Sequence, residues 1–277
     1  MIDRMHSPHF RVERDGQLAT IWARSGEKLS PDEQAAAKKV TSALALANLL
    51  DALRADDAVR VIVLHRGGAN HGGNSTKHYN SHEWQDHHND PEYIWKTFSG
   101  IVRMHEVMAS IEKPIVIQVD GNIIGGGCWI ALSGDLIVAR EDAIFGDHHL
   151  AMGAFDPIGP PFGLVPGDGG TALAPLFFSP TVAKEMLMLG KSFTARELAA
   201  QGVINYAVPA GEIDAKVADL VARLLDRPAY PLAWCKRAVN RHVVEQLNRT
   251  LDAGAGYEMI GLSQLERQGW IDKKTLE

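Results

Sequence analysis

Three consecutive glycines, Gly125–Gly127, stand between an apolar run ending at Ile124 and a second one, Cys128–Leu132. Glycine inside regular structure costs conformational entropy. Three together need a use: a tight turn, or a backbone N–H brought close to a developing negative charge. Downstream, Asp147 precedes two adjacent histidines, His148 and His149. A carboxylate beside an imidazole can hold its tautomer and stabilise the imidazolium formed when it takes a proton. The same aspartate could equally cap a turn. A group that polarises an oxygen and a group that moves a proton are together the means for acid–base chemistry at a carbonyl. A further cluster, His78, His82, Asp86, His87 and His88, contains two histidines at i, i+4. Imidazoles at that spacing can share an ion, but no glutamate follows His78 to complete a His-Glu-x-x-His helix. This stretch therefore reads as a solvated, His-rich lid, and no metal site is expected. The chain has no Ser-centred nucleophile elbow and no Walker loop. The run from Gly167 lacks the spacing and the preceding strand of a dinucleotide fingerprint.

Those residues need a frame. Phe10–Arg24 alternates around an Asp-Gly pair and predicts a hairpin. Residues 30–57 predict one long helix, opened by Ser30 as N-cap and Pro31 at the first helical position. Residues 59–67 read as a buried strand. A polar stretch follows, then an amphipathic helix over 95–113 and a strand over 114–121. After the glycines come a short helix and two short strands up to Gly146. A Pro/Gly-rich loop occupies Gly153–Gly170, and helices are expected to dominate from there to the end. Strand and helix in alternation, with a helical final third, describe an α/β core with a helical appendage.

Composition narrows the function. Of 277 residues, 45% are hydrophobic and 22% charged, which suits a globular chain with a sizeable core. A formal net charge of −6, with no dense Lys/Arg block, argues against a nucleic-acid surface. No run of 18 apolar residues predicts a membrane span. The N-terminal residues have neither signal-peptide nor transit-peptide character. The two cysteines, Cys128 and Cys235, sit in apolar sequence and read as reduced thiols of a cytoplasmic protein. In that compartment the two Asn-x-Ser/Thr sequons, at Asn74 and Asn248, are chance matches.

The order of elements, together with Lys113, Pro114, Gly121, Gly125, Gly126, Gly127, Leu132 and Asp135 in register, closely resembles the crotonase superfamily of enoyl-CoA hydratases and isomerases. Glu197–Asp214 resembles a later segment of the same family. The resemblance implies a crotonase-like α/β spiral of ββα units over residues 1–200, and a helical C-terminal trimerisation region over 201–277. It implies a homotrimer or a dimer of trimers. It also implies an oxyanion hole of two backbone amides, Gly126 and, from the loop after the third strand, Gly72.

The sequence departs from the hydratase pattern at the two positions where hydratases carry catalytic glutamates. Trp129 and His149 stand there instead. The following loop ends in Leu164–Gly170, "LVPGDGG", where Asp168 replaces a small residue. That resembles the β-diketone hydrolases of the superfamily, the 6-oxocamphor hydrolase group. In them a histidine and this aspartate activate water, which cleaves a C–C bond in a retro-Claisen step without coenzyme A. The implied catalytic set is His149 or His148 with Asp168; Glu258 falls where those hydrolases carry a functional glutamate, but many hydratases also have a glutamate there for packing, and the packing role is the favoured one. Trp84, Trp129 and Phe162 are the residues expected to meet the substrate, a small carbonyl compound. A family segment that helps cover coenzyme A is missing from the tail, so no cofactor is expected. Two other readings stay open: a divergent hydratase or isomerase acting on an acyl-CoA thioester, and a non-catalytic homologue.

Overall fold

The structure, a computed structural model, describes residues 7–24, 29–37, 39–67, 90–147, 149–150 and 163–265. β1 (Phe10–Asp15) and β2 (Leu18–Ala23) form the expected antiparallel hairpin. β3 (Val61–Gly67), β4 (Ile115–Asp120), β6 (Leu136–Arg140) and β9 (Tyr206–Val208) add to it in parallel, in the order β1-β2-β3-β4-β6-β9. β5 (Ile123–Ile124), β7 (Ile144–Gly146) and β8 (Phe193–Thr194) make a second, three-stranded sheet.

The central strands are apolar on both faces, as parallel strands covered on two sides must be. Ile62, Leu64, Ile115, Ile117 and Val119 enter the main core, and Val61, Val63 and Val116 enter a second one. Helices α2 (Ser42–Arg54) and α3 (Pro91–Ser110) cover the first face. α8 (Ile213–Leu225) covers the second, where Gln118 Nε2 donates to Asp214 at 2.7 Å. The chain thus alternates strand and helix in a crotonase-like spiral of ββα units and ends in helices α8, α9 (Ala229–Val239) and α10 (Arg241–Leu265). Among the described residues no helix is long and apolar enough to cross a membrane.

Two expectations need correction. The single helix over 30–57 is two, α1 (Pro31–Ala37) and α2. Thr41 between them is extended, and its side chain accepts from Leu44 N, capping α2. A threonine that bonds its own downstream backbone competes with helix continuation. The C-terminal part is not helical throughout: β8 and β9 interrupt it, and β9 closes the main sheet beyond residue 200. Strands of two and three residues are too short to show a period of two.

A buried ion pair ties the appendage to this sheet. Lys236 on α9 donates to Asp135 Oδ2 at 2.7 Å and to the Lys113 carbonyl at 3.2 Å. The same Asp135 oxygen accepts from Ile115 N, at the start of β4.

Candidate active site

Between β5 and α4 (Gly126–Leu132) the backbone turns at Gly125, whose φ of 60° and ψ of −136° suit only glycine. Gly125 N donates to the Gly146 carbonyl, which fixes the start of α4 against the end of β7. A Cβ on Gly126 would lie 2.6 Å from Asp168 Oδ2. The glycine is therefore required because a carboxylate occupies the space of its side chain. Among the described residues no acceptor meets the Gly126 N–H. It is one of the first-turn donors that a helix leaves unpaired.

Asp168 reaches this point from the Leu164–Gly170 segment, just before α5 (Gly170–Phe177). Gly167 packs so closely on Gly254 of α10 that a Cβ there would strike the Gly254 backbone. From one turn further along α10, Glu258 Oε2 accepts from Gly167 N at 2.8 Å. On the other side, His105 of α3 bonds the Asp168 carbonyl through Nε2 at 2.9 Å and Ser133 through Nδ1 at 2.8 Å. A carbonyl only accepts, so Nε2 carries the proton. Burial lowers the His105 pKa despite the neighbouring Asp168, which keeps the ring neutral.

His149 lies at the centre. Its Nδ1 is 3.1 and 3.2 Å from the two oxygens of Asp147, which also accepts from the His149 backbone N at 3.0 Å. Trp129 Nε1 donates to the same carboxylate at 2.7 Å. On the opposite edge of the ring, Nε2 is 3.4 Å from Asp168 Oδ2 and 3.5 Å from Glu258 Oε1. His149, Asp147 and Glu258 are 3%, 1% and 2% exposed. Burial opposes the imidazolium, but Asp168, Asp147 and Glu258 together outweigh it and raise the His149 pKa well above its usual value. Asp147 is lowered, because the attraction and hydrogen bonds of His149 and the Trp129 bond overcome its burial. Glu258 is pushed up to about 8 by burial, with Asp168 adding repulsion against the pull of His149. These directions favour the imidazolium of His149, set between aspartates on both edges, and the protonated form of Glu258 beside it. Among the described residues Asp168 Oδ1 is buried without a hydrogen-bond partner, while Oδ2 lies against the side-chain face of Gly126.

The fold thus brings together Gly126, His149, Asp168 and Glu258. Trp129 is fully buried, and the polar edge of its indole is committed to Asp147, so it positions that carboxylate. Gly72, Trp84, His148 and Phe162 lie outside the described residues, as does the His-rich stretch over 71–88. His148, the neighbour of Asp147 in the sequence reading, lies outside the described residues, while Asp147 bonds His149. The turn after β7 folds its side chain back onto the residue two positions on, as Asx turns do. Asp147, His149 and Asp168 could each offer a ligand atom within 4.8 Å of the others. The two aspartates, however, approach opposite ring nitrogens, Asp147 by hydrogen bonds and Asp168 as an ion pair, which is the arrangement of an imidazole held between two carboxylates. His105 was missed: surrounded in sequence by Met104, Val107 and Met108, it reads as an ordinary core position. Arg66 was missed too. Its Nη2 would lie 3.4 Å from a Cβ on Gly127.

Residues 31–268 match the enoyl-CoA hydratase/isomerase family. Over 133 residues the chain is 29% identical to a probable mitochondrial enoyl-CoA hydratase of Dictyostelium discoideum, a match covering 48% of this chain and 44% of that protein. The chain spans about half the length of the curated relatives it matches. Among solved structures it is similar to an enoyl-CoA hydratase/isomerase from Mycobacterium paratuberculosis, with a TM-score of 0.73 and 22% identity over 94% of this chain and 98% of the other. It is equally similar to a beta-diketone hydrolase from Anabaena sp. PCC 7120 bound to (S)-3-oxocyclohexyl acetic acid, with a TM-score of 0.72 and 16% identity over 94% and 96%. At such identities both likenesses concern the fold.

Proposed function

The chain belongs to the enoyl-CoA hydratase/isomerase family, and on that premise we propose that it hydrolyses a carbon–carbon bond of a β-dicarbonyl substrate. The observation that carries this reading is the placement of Asp168: its Oδ1 is buried without a donor among the described residues, while its Oδ2 lies 3.4 Å from His149 Nε2 and against the side-chain face of Gly126. Water hydrogen-bonded to Asp168 Oδ1 gives that oxygen a proton as its own oxygen adds to the ketone carbon. The carbonyl oxygen becomes an oxyanion, stabilised by the Gly126 N–H and by a second amide for which Gly72 is the candidate. Collapse of this tetrahedral species breaks the C–C bond, and the electron pair leaves as an enolate. His149 protonates the enolate carbon through Nε2. The proton on Asp168 Oδ1 then returns to His149 Nε2 through a relaying water, because the direct 3.4 Å contact is with Oδ2, and the site is reset. One water is consumed, and a carboxylic acid and a ketone are released. Compared with the expectation that His149 is the base, the surrounding carboxylates favour Asp168 in that part and His149 as the acid.

A second reading is favoured by the curated relatives. The chain is similar to proteins named enoyl-CoA hydratase, crotonyl-CoA hydratase and carnitinyl-CoA dehydratase. Hydration of an unsaturated acyl-CoA also needs a base and an acid, which Asp168 and protonated Glu258 could supply. One comparison separates the two. With 1,3-cyclohexanedione in ¹⁸O-labelled water, the hydrolase reading expects 5-oxohexanoate carrying one heavy oxygen. With crotonyl-CoA it expects no loss of the conjugated thioester absorbance, and calorimetry with acetyl-CoA shows no micromolar binding. The reverse pattern establishes the thioester reading, and silence on both substrates supports a non-catalytic homologue.

The same proposal includes assembly as a homotrimer or a dimer of trimers. Tyr230, Trp234, Val239, Tyr257 and Ile260 are exposed on α9 and α10, apolar surface that subunit contacts would cover. Light scattering that finds a monomer at micromolar concentration refutes it.

A further inference from the structure

Arg66 stands near the carboxyl end of β3, directly opposite Val119 of β4. In an open parallel sheet, ligands bind beyond the carboxyl ends of the strands. Arg66 shares the strand face of Ile62 and Leu64, the face that carries the main core, into which Cys128 and Trp129 of α4 also pack. Its guanidinium comes to rest against the first turn of α4, with Nη2 3.4 Å from where a Cβ of Gly127 would be. Its Nε is buried and has no hydrogen-bond partner. Among the described residues no carboxylate pairs with it. By contrast, Arg24, Arg54 and Arg140 each meet an aspartate or glutamate. Burial, offset by no acidic neighbour, brings the Arg66 pKa down to about 10, so the group is still a cation at neutral pH.

A partly desolvated guanidinium with no counterion among the described residues is costly to maintain, and its planar fork fits a carboxylate through two parallel hydrogen bonds. Gly126 faces Asp168 and Gly127 faces Arg66. Successive helical residues project about 100° apart, so the arginine addresses a different part of a bound molecule from the carbon that water attacks. We propose that Arg66 binds a carboxylate of the substrate, so that the dicarbonyl cleaved at this site is itself an acid. This rests on the hydrolytic reading above for the reaction, and on Arg66 alone for the charge.

The test uses 4,6-dioxoheptanoate, a β-diketone with a carboxylate two carbons away, and its neutral methyl ester. The wild-type protein should prefer the acid in kcat/KM by about 10- to 100-fold, the worth of a charge-assisted hydrogen bond. Arg66→Met should bring this preference close to one, mainly through KM, and Arg66→Lys should restore part of it. Equal use of acid and ester by the wild type overturns the proposal, even if Arg66→Met does not fold. So does a preference that survives in Arg66→Met. If the wild type cleaves neither compound, calorimetry decides. Tighter binding of the acid than of the ester, lost in Arg66→Met, retains the arginine and removes the cleavage reading. Equal affinities remove the arginine.

Discussion

Replacing Glu258 with glutamine should make the protein more stable, and increasingly so as the pH rises. In the folded chain Glu258 is held protonated up to about 8, against an ordinary value of 4.5. A group whose pKa is raised by folding gives its full stability below the unfolded value and loses it as the pH climbs through the folded value. The window is therefore pH 4.5 to about 8. At 1.36 kcal/mol for each tenfold change in proton affinity, that interval corresponds to roughly 5 kcal/mol. Coupling to His149 makes a range of ~2–5 kcal/mol the working expectation. Glutamine keeps the shape of the protonated acid and can still accept from Gly167 N, so it removes the titration and little else. Urea unfolding at pH 5, 6, 7, 8 and 9 reads the outcome. The wild type and Glu258→Gln should nearly coincide at the acid end. They should diverge steadily to about pH 8 and run parallel above it. A difference that stays constant across the series refutes the reasoning, because Glu258 would then be ionised throughout.

Asp168→Asn should lower kcat by ~10²–10⁴-fold with a smaller change in KM, as removal of a general base does; near-full activity makes the aspartate structural. Combining it with His149→Ala should be little worse than the more damaging single change, and a multiplicative loss would show that the two act independently. Gly126→Ala forces a methyl group to within 2.6 Å of Asp168 Oδ2. It should cost about 10²-fold in kcat by displacing that carboxylate, and an unaltered rate would mean that Asp168 moves aside freely. Lys236→Met strands the Asp135 carboxylate, so the urea midpoint should report a loss of ~3–5 kcal/mol. A loss under 1 kcal/mol would show that water already reaches the pair.

What could be read from the sequence followed the range of the physics involved. The β1–β2 hairpin, the apolar strands β3 and β4 and the helix α3 are governed by local periodicity, and the structure has them close to where the pattern put them. The break at Thr41 depends on one side-chain hydrogen bond outweighing a continuous helical pattern, which no period reveals. That Asp147 reaches His149 was not legible, because which residue a turn side chain reaches is set by backbone angles. His149 and Asp168 are 19 positions apart, and their approach depends on Gly167 fitting against α10. Only the family resemblance joined them in the sequence. His105 and Arg66 had no local mark at all: one owes its place to the Asp168 carbonyl, the other to the missing side chain of Gly127.

The grip of α10 on Gly167 limits how this protein can be recombined. Gly254 and Glu258 hold the backbone that aims Asp168, although nearly ninety residues separate them from it. A chimera with a crossover between residues 168 and 254 would inherit the aspartate from one parent and its clamp from the other. A larger residue at the position of Gly254, or a shorter one at that of Glu258, would shift the carboxylate in a chain that still folds. Viable breakpoints therefore lie before the loop that carries Asp168 or after Glu258, and the final helix travels with the site as one inherited block.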